Sequence, residues 1–141
     1  MKIGVIIQAR MSSERYPSKV LTEVNKKPLL SYIIDRLRFS CKYQNIVIAT
    51  SLEKSDNPIE NFCLENGILF FRGDLENVSL RMLEASKIND FDGFVRVNGD
   101  SPLVDPHIIN KAVSFFKDSD NISTSRLCDF ILKSSESYEN C

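Results

Sequence analysis

A group of positively charged side chains follows the first apolar run of the sequence. Arg10, Arg15 and Lys19 lie within ten residues, directly after the apolar segment of residues 3–7. Cations held together at the end of a buried segment repel one another, so the group indicates an anion between them. Arginine binds phosphate oxygens through two parallel hydrogen bonds and lysine acts as a point charge, which favours a polyphosphate. On residue types alone, a solvated basic loop is an equally weighted alternative.

The segment that carries these cations, residues 8–19, contains no glycine. It therefore matches neither the G-x-x-x-x-G-K-[ST] motif nor the dinucleotide motif G-x-G-x-x-G. Binding of phosphate by backbone N–H groups is therefore the weaker option, and the donors would be guanidinium and ammonium groups. At about 4 Å and an effective dielectric constant near 20, each charge pair contributes on the order of 4 kcal/mol before desolvation, which suffices for a triphosphate.

A carboxylate follows a later apolar segment. Asp100 comes directly after Gly99 at the end of residues 92–98. Phosphates flanked by cations and a carboxylate are the usual arrangement for Mg²⁺, which takes oxygen ligands and keeps several waters. The Asn-Gly-Asp triplet is also a common turn, so a turn role for Asp100 remains an alternative. Asp105 is expected to cap the next helix, and His107, the only histidine, is given no role.

The apolar pattern predicts the elements that would position these side chains. Runs of β-branched residues indicate strands buried on both faces, and spacings of three and four residues indicate helices. Strands are predicted at residues 3–7, 45–50, 68–71, 92–98 and near 121–125, and helices at about 28–37, 55–66, 76–87 and 106–116. This alternation predicts a mostly parallel, three-layer α/β sheet with right-handed crossovers.

In such a sheet, ligands bind beyond the carboxyl ends of the strands. The basic segment, the predicted turn at residues 72–74 and the turn at residues 99–105 are therefore expected on one rim. Residues 1–125 are expected to form one α/β domain and residues 126–141 a short Ser-rich tail without a compact unit. The apolar cluster at residues 130–132 fits a homodimer contact and an ordinary packed strand about equally well.

Composition limits the classes of protein and of partner. The chain has 141 residues, 43% apolar and 26% charged, which is ordinary for one globular domain. Its net charge of -1 argues against a nonspecific nucleic-acid-binding protein, so any anion site must be local.

The cysteines and the N-terminus indicate a cellular compartment. Cys41, Cys63, Cys128 and Cys141 form no C-x-x-C pair, so a zinc ribbon and a thioredoxin-type motif are not expected. Reduced thiols are expected instead. No signal-peptide pattern and no apolar run near the roughly 20 residues needed to cross a bilayer are found, so we expect a cytoplasmic protein without a membrane partner.

Two segments resemble a known enzyme family. IGVIIQARMSSERYPSKVL (residues 3–21) and FVRVNGDSPLVDP (residues 94–106) are similar to the cytidylyltransferases that include the CMP-sialic acid and CMP-KDO synthetases, and most closely to the spore coat polysaccharide biosynthesis protein F branch. The resemblance spans residues 3 to about 125. It implies the Rossmann-like nucleotide-diphospho-sugar transferase fold and the transfer of CMP from CTP to a sugar, with release of pyrophosphate, in cell-surface or spore-coat polysaccharide biosynthesis.

The resemblance also implies roles for individual residues. Gln8 and Ala9 would line the cytosine pocket, and the polar residues of the basic segment would contact the CTP phosphates. FRGDLENVSLRMLEA (residues 71–85) carries the family's usual arginine. The implied nucleotide-binding set is Gln8, Ala9, Arg10, Ser12, Arg15, Lys19 and Arg81. Asp100 would hold Mg²⁺.

Three of these residues are expected to act in catalysis. Arg10 and Lys19 would stabilise charge on the β- and γ-phosphates, and Asp100 would fix the metal that orients the α-phosphate. Positioning and charge neutralisation carry such a transfer, so no dedicated protein nucleophile is required.

The sequence departs from the family pattern at several positions. Ser12 and Ser18 stand where glycine is common, and Ser18 carries a conformational cost if the loop needs a positive φ there. Asn77 and Leu80 stand where the family usually has acidic residues. The family's sugar-binding and dimer-forming segments and its second acidic metal ligand find no counterpart after Arg126, so the chain is identified as a shortened member.

Two alternatives to a cytidylyltransferase follow. The shortened chain suits a catalytically inactive nucleotide-binding or scaffold domain. Use of UTP or GTP is the weaker alternative, because related enzymes for those nucleotides commonly carry a glycine pair where Gln8 and Ala9 stand.

Overall fold

The structure, a computed structural model, describes residues 1–12, 16–40, 45–118 and 131–133, with the backbone alone for residue 40 and residues 131–133. In chain order, the elements are β1 (Ile3–Gln8), β2 (Glu23–Val24), β3 (Lys27–Pro28), α1 (Leu29–Ser40), β4 (Ile46–Ser51), α2 (Asn57–Glu65), β5 (Leu69–Gly73), α3 (Val78–Ile88), β6 (Gly93–Asn98), α4 (Pro106–Asp118) and β7 (Ile131–Lys133). Short 3₁₀ turns occupy Lys19–Leu21 and Lys54–Asp56.

A five-stranded sheet in the order β5-β4-β1-β6-β7 forms the centre of the fold. β1 pairs in parallel with β4 on one side and with β6 on the other. β5 continues the parallel pairing beyond β4. β7 alone among these strands runs antiparallel, beside β6. The expectation of a mostly parallel sheet is therefore confirmed.

Helices cover both faces of this sheet because its strands are apolar on both sides. Val5 and Ile7 of β1 belong to a core cluster that also contains buried residues of α1, α2 and α4. Ile6, between them, belongs to a second cluster with Met82 and Ala85 of α3. Successive side chains of a strand point to opposite faces, so the predicted three layers are present.

The structure corrects the predicted end of β5. Arg72 and Gly73 are strand residues rather than a turn, since they pair with Thr50 and Ser51 of β4. The Arg72 side chain donates to the backbone oxygens of Ser51 and Glu53, at 2.8 and 2.7 Å. These hydrogen bonds connect β5 to the end of β4 and to the segment that follows it. The turn at this rim therefore begins two residues later than predicted, at residue 74.

The segment between the basic loop and α1 is more regular than predicted. β2 and β3 form a hairpin, and its two turn residues, Asn25 and Lys26, have φ of 51° and 62°. Pro28 ends β3 instead of lying in the first turn of α1, because the antiparallel pairing of Glu23 with Pro28 continues to the helix start.

The C-terminal part of the chain differs from its prediction in one respect. The strand predicted near residues 121–125 lies outside the described residues, as does Phe130. Residues 131–133, expected in a tail without a compact unit, form β7 and pair with residues 93–95 of β6. The packed-strand alternative for this apolar segment therefore applies to its described residues. None of the helices in the described part of the chain is long and apolar enough to cross a bilayer.

Candidate active site

A cleft of about 840 Å³ opens beyond the carboxyl ends of β1 and β6. The chain leaves β1 toward β4 on one side and later returns to β6 on the other, so this is the point where the strand order reverses. Ligands of open α/β sheets bind at such a point. The lining residues are Gln8, Arg10, Ser12, Pro17, Lys19, Val20, Leu75, Glu76, Asn98, Gly99 and Asp100.

The basic loop leaves β1 and returns to a fixed point. Ala9 is buried, and its N–H donates to Ala49 O at 3.1 Å. Ser18 N–H donates to Met11 O at 2.8 Å, which closes the loop before the turn that begins at Lys19. Ser18 has φ 62°, so the condition under which a serine at this position carries a conformational cost is met.

A buried carboxylate holds the start of the loop. Asp56 Oδ1 accepts from Met11 N–H at 2.7 Å, and Asp56 Oδ2 accepts from Ser51 N–H at 3.2 Å and from the Ser51 hydroxyl. Asp56 lies at the N-cap of α2, but its side chain makes no cap hydrogen bond there. Asp56 is a positioning residue of the site that sequence reasoning missed.

The loop lysine and the carboxylate after β6 meet across the cleft. Lys19 Nζ lies 3.3 Å from Asp100 Oδ2. Their side chains are 44% and 51% exposed, so water screens the pair strongly. The parallel pairing of β1 with β6 causes the encounter, since it brings the two loops to the same rim.

Gly99 allows the two strand ends to approach closely. Its N–H donates to Gln8 O at 2.7 Å. A Cβ at this position would lie 2.8 Å from the same oxygen and 3.1 Å from Ala9 Cβ. A larger residue would therefore separate Gln8 from Asp100.

Two arginines share one backbone acceptor at the edge of the cleft. Arg10 Nη1 donates to Leu75 O at 3.4 Å, and Arg81 Nη1 donates to the same oxygen at 3.2 Å and also to Asp74 O. Arg81 is fully buried. Burial, and then the charge of Arg10, lowers the pKa of Arg81, while Asp56 and Asp74 oppose this change. The guanidinium groups of Arg10 and Arg81 therefore lie close together at the backbone oxygen of Leu75.

The start of α3 positions Arg81. Asn77 Oδ1 accepts from Leu80 N–H at 2.9 Å and so caps the helix, and Asp74 Oδ1 accepts from Asn77 N–H at 2.6 Å. Asn77 therefore has a structural role, in a position where the family pattern led us to expect an acid. Nothing in the structure explains Leu80, whose side chain is 40% exposed.

The structure brings most of the predicted site residues together. Five of them line the cleft, namely Gln8, Arg10, Ser12, Lys19 and Asp100. Ala9 and Arg81 are buried and do not line it, although Arg81 holds the carbonyl of a lining residue. Arg15 lies outside the described residues. Leu75, Glu76 and Asn98 also line the cleft and were not predicted as site residues. Leu75 could not have been found from its type, because it accepts from the arginines through its backbone carbonyl.

Asp100 is the predicted metal ligand at this cleft. Within the described residues, no group of three or more His, Cys, Asp and Glu side chains could hold a metal ion. Mg²⁺, however, is commonly bound through one or two carboxylates plus substrate phosphates and waters. A half-exposed carboxylate beside a cationic loop fits that mode of binding.

Comparison with known proteins assigns the chain to a family. A family profile described as Cytidylyltransferase matches residues 4–140. The chain belongs to the cytidylyltransferase family. The resemblance of the sequence motifs was expected to end near residue 125. The profile match continues past that position and includes the residues of β7.

Named relatives agree with this assignment. The chain is 38% identical over 109 residues to the spore coat polysaccharide biosynthesis protein SpsF of Bacillus subtilis, covering 74% of this chain and 45% of that protein. It is 30% identical over 141 residues to the 3-deoxy-manno-octulosonate cytidylyltransferase of Francisella philomiragia, covering 98% and 55%. The chain thus spans about half the length of the curated relatives that it matches.

A solved structure agrees with the fold. A cytidylyltransferase from Leptospira borgpetersenii superposes with a TM-score of 0.86 at 32% identity, over 96% of this chain and 61% of that one. The expected Rossmann-like fold of the nucleotide-diphospho-sugar transferase type is therefore confirmed.

Proposed function

We propose that this cytidylyltransferase binds CTP in the cleft between β1 and β6 and transfers CMP to a sugar with release of pyrophosphate. The observation that carries the proposal is the meeting of Lys19 and Asp100, at 3.3 Å, beside Arg10. A cation for phosphate and a carboxylate for a metal face the same space. The two residues are 81 positions apart in the sequence, and the pairing of β1 with β6 brings them to the same cleft.

In the proposed reaction, a sugar oxygen attacks the α-phosphorus of CTP. The new P–O bond forms as the bond from the α-phosphorus to the bridging oxygen of pyrophosphate breaks, and the hydroxyl proton passes to solvent. Arg10 and Lys19 bind the β- and γ-phosphates, where negative charge develops, with Ser12 and Arg15 in the same loop. His107, for which no role was expected from the sequence, does not line the cleft.

Mg²⁺ is the proposed cofactor, and Asp100 would hold it. When bound, the ion neutralises phosphate charge and orients the α-phosphate. An exposed ion pair such as Lys19–Asp100 contributes only about 0–1 kcal/mol. Separation of the pair, so that Lys19 binds a phosphate and Asp100 binds the cation, therefore costs little free energy.

The acceptor and the setting follow from the relatives. One is named for spore coat polysaccharide biosynthesis and another for 3-deoxy-manno-octulosonate, which supports a sugar precursor of a surface polysaccharide as acceptor. We propose that the reaction takes place in the cytoplasm. A homodimer belongs to the same proposal.

A second candidate function is a nucleotide-binding or scaffold domain without catalysis. It is favoured by the single predicted metal carboxylate at the cleft, Asp100. Such a domain would bind CTP through the same loop but would not release pyrophosphate.

Two measurements separate the candidates. Calorimetric titration of the chain with CTP and Mg²⁺ measures binding, and a pyrophosphate assay with an added sugar acid measures turnover. Binding with release supports the enzyme, and binding without release supports the inactive domain. Competition between CTP, UTP and GTP tests the base, and a chain that binds none of them contradicts both candidates.

A further inference from the structure

Arg81 is a charged residue that lies beside the cleft but is enclosed by protein. Its side chain has no exposed surface, and it is not among the residues that line the cleft. Its Nε and Nη2 atoms are buried and have no hydrogen-bond partner among the described residues. A nucleotide in the cleft therefore reaches none of its donors unless the surrounding side chains rearrange. The family resemblance implied a nucleotide contact for Arg81, whereas its burial favours an indirect role.

The turn between β5 and α3 holds Arg81 in this position. Gly73 leaves room for its stem, since a Cβ at residue 73 would lie 3.0 Å from Arg81 Cγ. The Arg81 N–H donates to Asn77 O at 3.1 Å, at the start of α3. Its guanidinium reaches back to the turn, where Nη1 donates to the backbone oxygens of Asp74 and Leu75. One buried nitrogen atom thus fixes two successive carbonyl groups.

The carbonyl group of Leu75 connects Arg81 with the cleft. Leu75 O accepts from Arg81 Nη1 at 3.2 Å and from Arg10 Nη1 at 3.4 Å. Leu75 and Arg10 line the cleft, although Arg81 does not. A backbone oxygen has two lone pairs and can serve both donors. The position in which Arg81 holds this oxygen therefore also determines where the Arg10 guanidinium rests.

The charge of Arg81 favours the movement of Arg10 toward an anion in the cleft. The two guanidinium groups repel each other, and the charge of Arg10 contributes to the lowered pKa of Arg81 after burial. Because Arg81 is confined, Arg10 is the member of the pair that can move, and the cleft is open to it. Its hydrogen bond to Leu75 O is long, and a phosphate oxygen is a stronger, charge-assisted acceptor.

We propose that Arg81 is a positioning residue, which acts on the CTP phosphates through the Leu75 carbonyl and Arg10 and makes no contact with the nucleotide. The inference rests on the proposed function, because the placement of Arg10 matters only if Arg10 binds the phosphates. It also gives a reason for a buried charge that packing does not require. A buried charge without a full set of partners is costly, and an apolar residue of similar volume often replaces such a group without loss of stability.

The experiment is a double-mutant cycle on the 141-residue chain, with Mg²⁺–CTP and CMP as ligands in calorimetric titrations. Arg10→Met is expected to weaken Mg²⁺–CTP binding about tenfold to a hundredfold, and Arg81→Met about fivefold to tenfold. In the Arg10→Met background, Arg81→Met should have no further effect. CMP lacks the β- and γ-phosphates, so its affinity should stay within about twofold of wild type in all four chains.

Three comparisons make the coupling specific. Lys19 pairs with Asp100 rather than with Leu75 O, so Arg81→Met should weaken Mg²⁺–CTP binding by the same factor in a Lys19→Ala chain as in wild type. Arg36→Met, on the exposed side of α1, is the matched control for the loss of an arginine and should bind as wild type. Arg81→Lys keeps the charge without the planar fork and should recover part of the affinity.

Other outcomes overturn the proposal. Equal losses from Arg81→Met in the wild-type and Arg10→Met backgrounds would assign Arg81 a nucleotide contact of its own, and a loss of CMP binding would place that contact on the nucleoside monophosphate. Unchanged Mg²⁺–CTP binding in a folded Arg81→Met chain would leave Arg81 a structural role only.

Two further results keep the test decisive. If Arg81→Met fails to fold by circular dichroism, the cycle is measured with Arg81→Lys, whose smaller loss must also disappear in the Arg10→Met background. A wild-type chain that does not bind Mg²⁺–CTP refutes the proposed function itself, whereas intact binding with additive losses refutes the positioning role alone.

Discussion

Ser18 is a strained residue in the loop that closes over the cleft. Its φ of 62° lies in the left-handed region, where a side chain is unfavourable by about 1–3 kcal/mol. Glycine adopts this conformation freely, although it loses more backbone entropy on folding. Ser18→Gly is expected to raise the free energy of unfolding by up to about 1 kcal/mol, measured by urea denaturation.

A matched substitution gives the opposite sign. Ser114 lies on the exposed side of α4, where glycine weakens a helix. Ser114→Gly should lower the free energy of unfolding by about 0.5 kcal/mol. If Ser18→Gly destabilised the chain as Ser114→Gly does, the strain assigned to residue 18 would be wrong.

Lys19 carries the phosphate-binding proposal at the residue scale. Removal of one preorganised charge from a phosphoryl-transfer site commonly lowers the rate by about 10²–10³-fold. Lys19→Ala is therefore expected to reduce turnover about a hundredfold. Turnover is measured as pyrophosphate release by an enzyme that contains this domain and is active. Lys111→Ala, an exposed lysine of α4, is the control. An unchanged rate in Lys19→Ala would remove Lys19 from the site.

Cys63 gives a pH-dependent prediction. Burial, and secondarily the charge of Glu60, raises the pKa of this thiol to about 12 from 9.0. Between these two values, the unfolded state loses the proton and the folded state keeps it, so the thiol makes unfolding more favourable as the pH rises from 9.0 toward 12. Below pH 9.0 both states hold the proton and the effect vanishes.

Comparison with a variant isolates this effect. Wild type should lose up to about 1.4 kcal/mol of stability per pH unit above pH 9 relative to Cys63→Ala. The free energies of unfolding of both chains are measured by urea denaturation across that pH range. Since the other groups titrate equally in both chains, the difference between the two curves reports Cys63 alone. Parallel pH curves would show that Cys63 does not keep its proton in the folded state.

At the scale of elements, Asp56 connects three parts of the site. It lies at the start of α2, receives hydrogen bonds from the end of β4, and holds the first residues of the basic loop. Asp56→Ala would leave the N–H groups of Met11 and Ser51 without these acceptors. Unpaired buried groups of this kind cost about 1–3 kcal/mol each, so we expect a loss of about 2–4 kcal/mol in unfolding free energy.

Asp56→Asn separates geometry from charge. An asparagine keeps one oxygen acceptor, and it should restore part of the stability and most of the CTP affinity lost in Asp56→Ala. Urea denaturation and calorimetry measure the two effects. Full CTP affinity in a folded Asp56→Ala chain would mean that the loop does not need this anchor.

The elements themselves were largely predictable, and the connections between them less so. Apolar runs such as residues 3–7 and 45–50 fix strands because they can be buried on both faces. The rule that parallel strands present their carboxyl ends on one rim then brought Lys19 and Asp100 together from sequence alone. Asp56 could not be found in this way, since its partners are backbone N–H groups that any residue type provides.

At the scale of the whole molecule, β7 was also not predicted from the sequence, because its place depends on its partners. Residues 131–133 are too few to establish a period, and their pairing depends on β6, which lies about 40 positions earlier in the sequence. An antiparallel strand at the end of a parallel sheet is chosen by contacts made after the sheet exists. The sequence pattern alone therefore left this segment between a tail, a dimer contact and a strand.

The pairing of β7 makes a prediction about the limits of the folded unit. Within the described sheet, β6 carries β1 on one side and β7 on the other. Without β7, the outer side of β6 would present unpaired N–H and C=O groups, which favour association between chains. A chain that ends at residue 125 is therefore expected to unfold at lower urea concentration and to associate more than the full chain.

A chain that ends at residue 133 is the control, because it keeps β7 and removes eight of the sixteen residues that follow position 125. Urea denaturation and light scattering compare the three chains. If the chain that ends at residue 125 equals the full chain in both, residues 1–125 form a complete domain and β7 is dispensable. If the 133-residue chain keeps the stability of the full chain and the 125-residue chain loses it, the sheet depends on β7. The strand β6, which leads to Asp100, then needs a segment that the sequence pattern assigns to a tail.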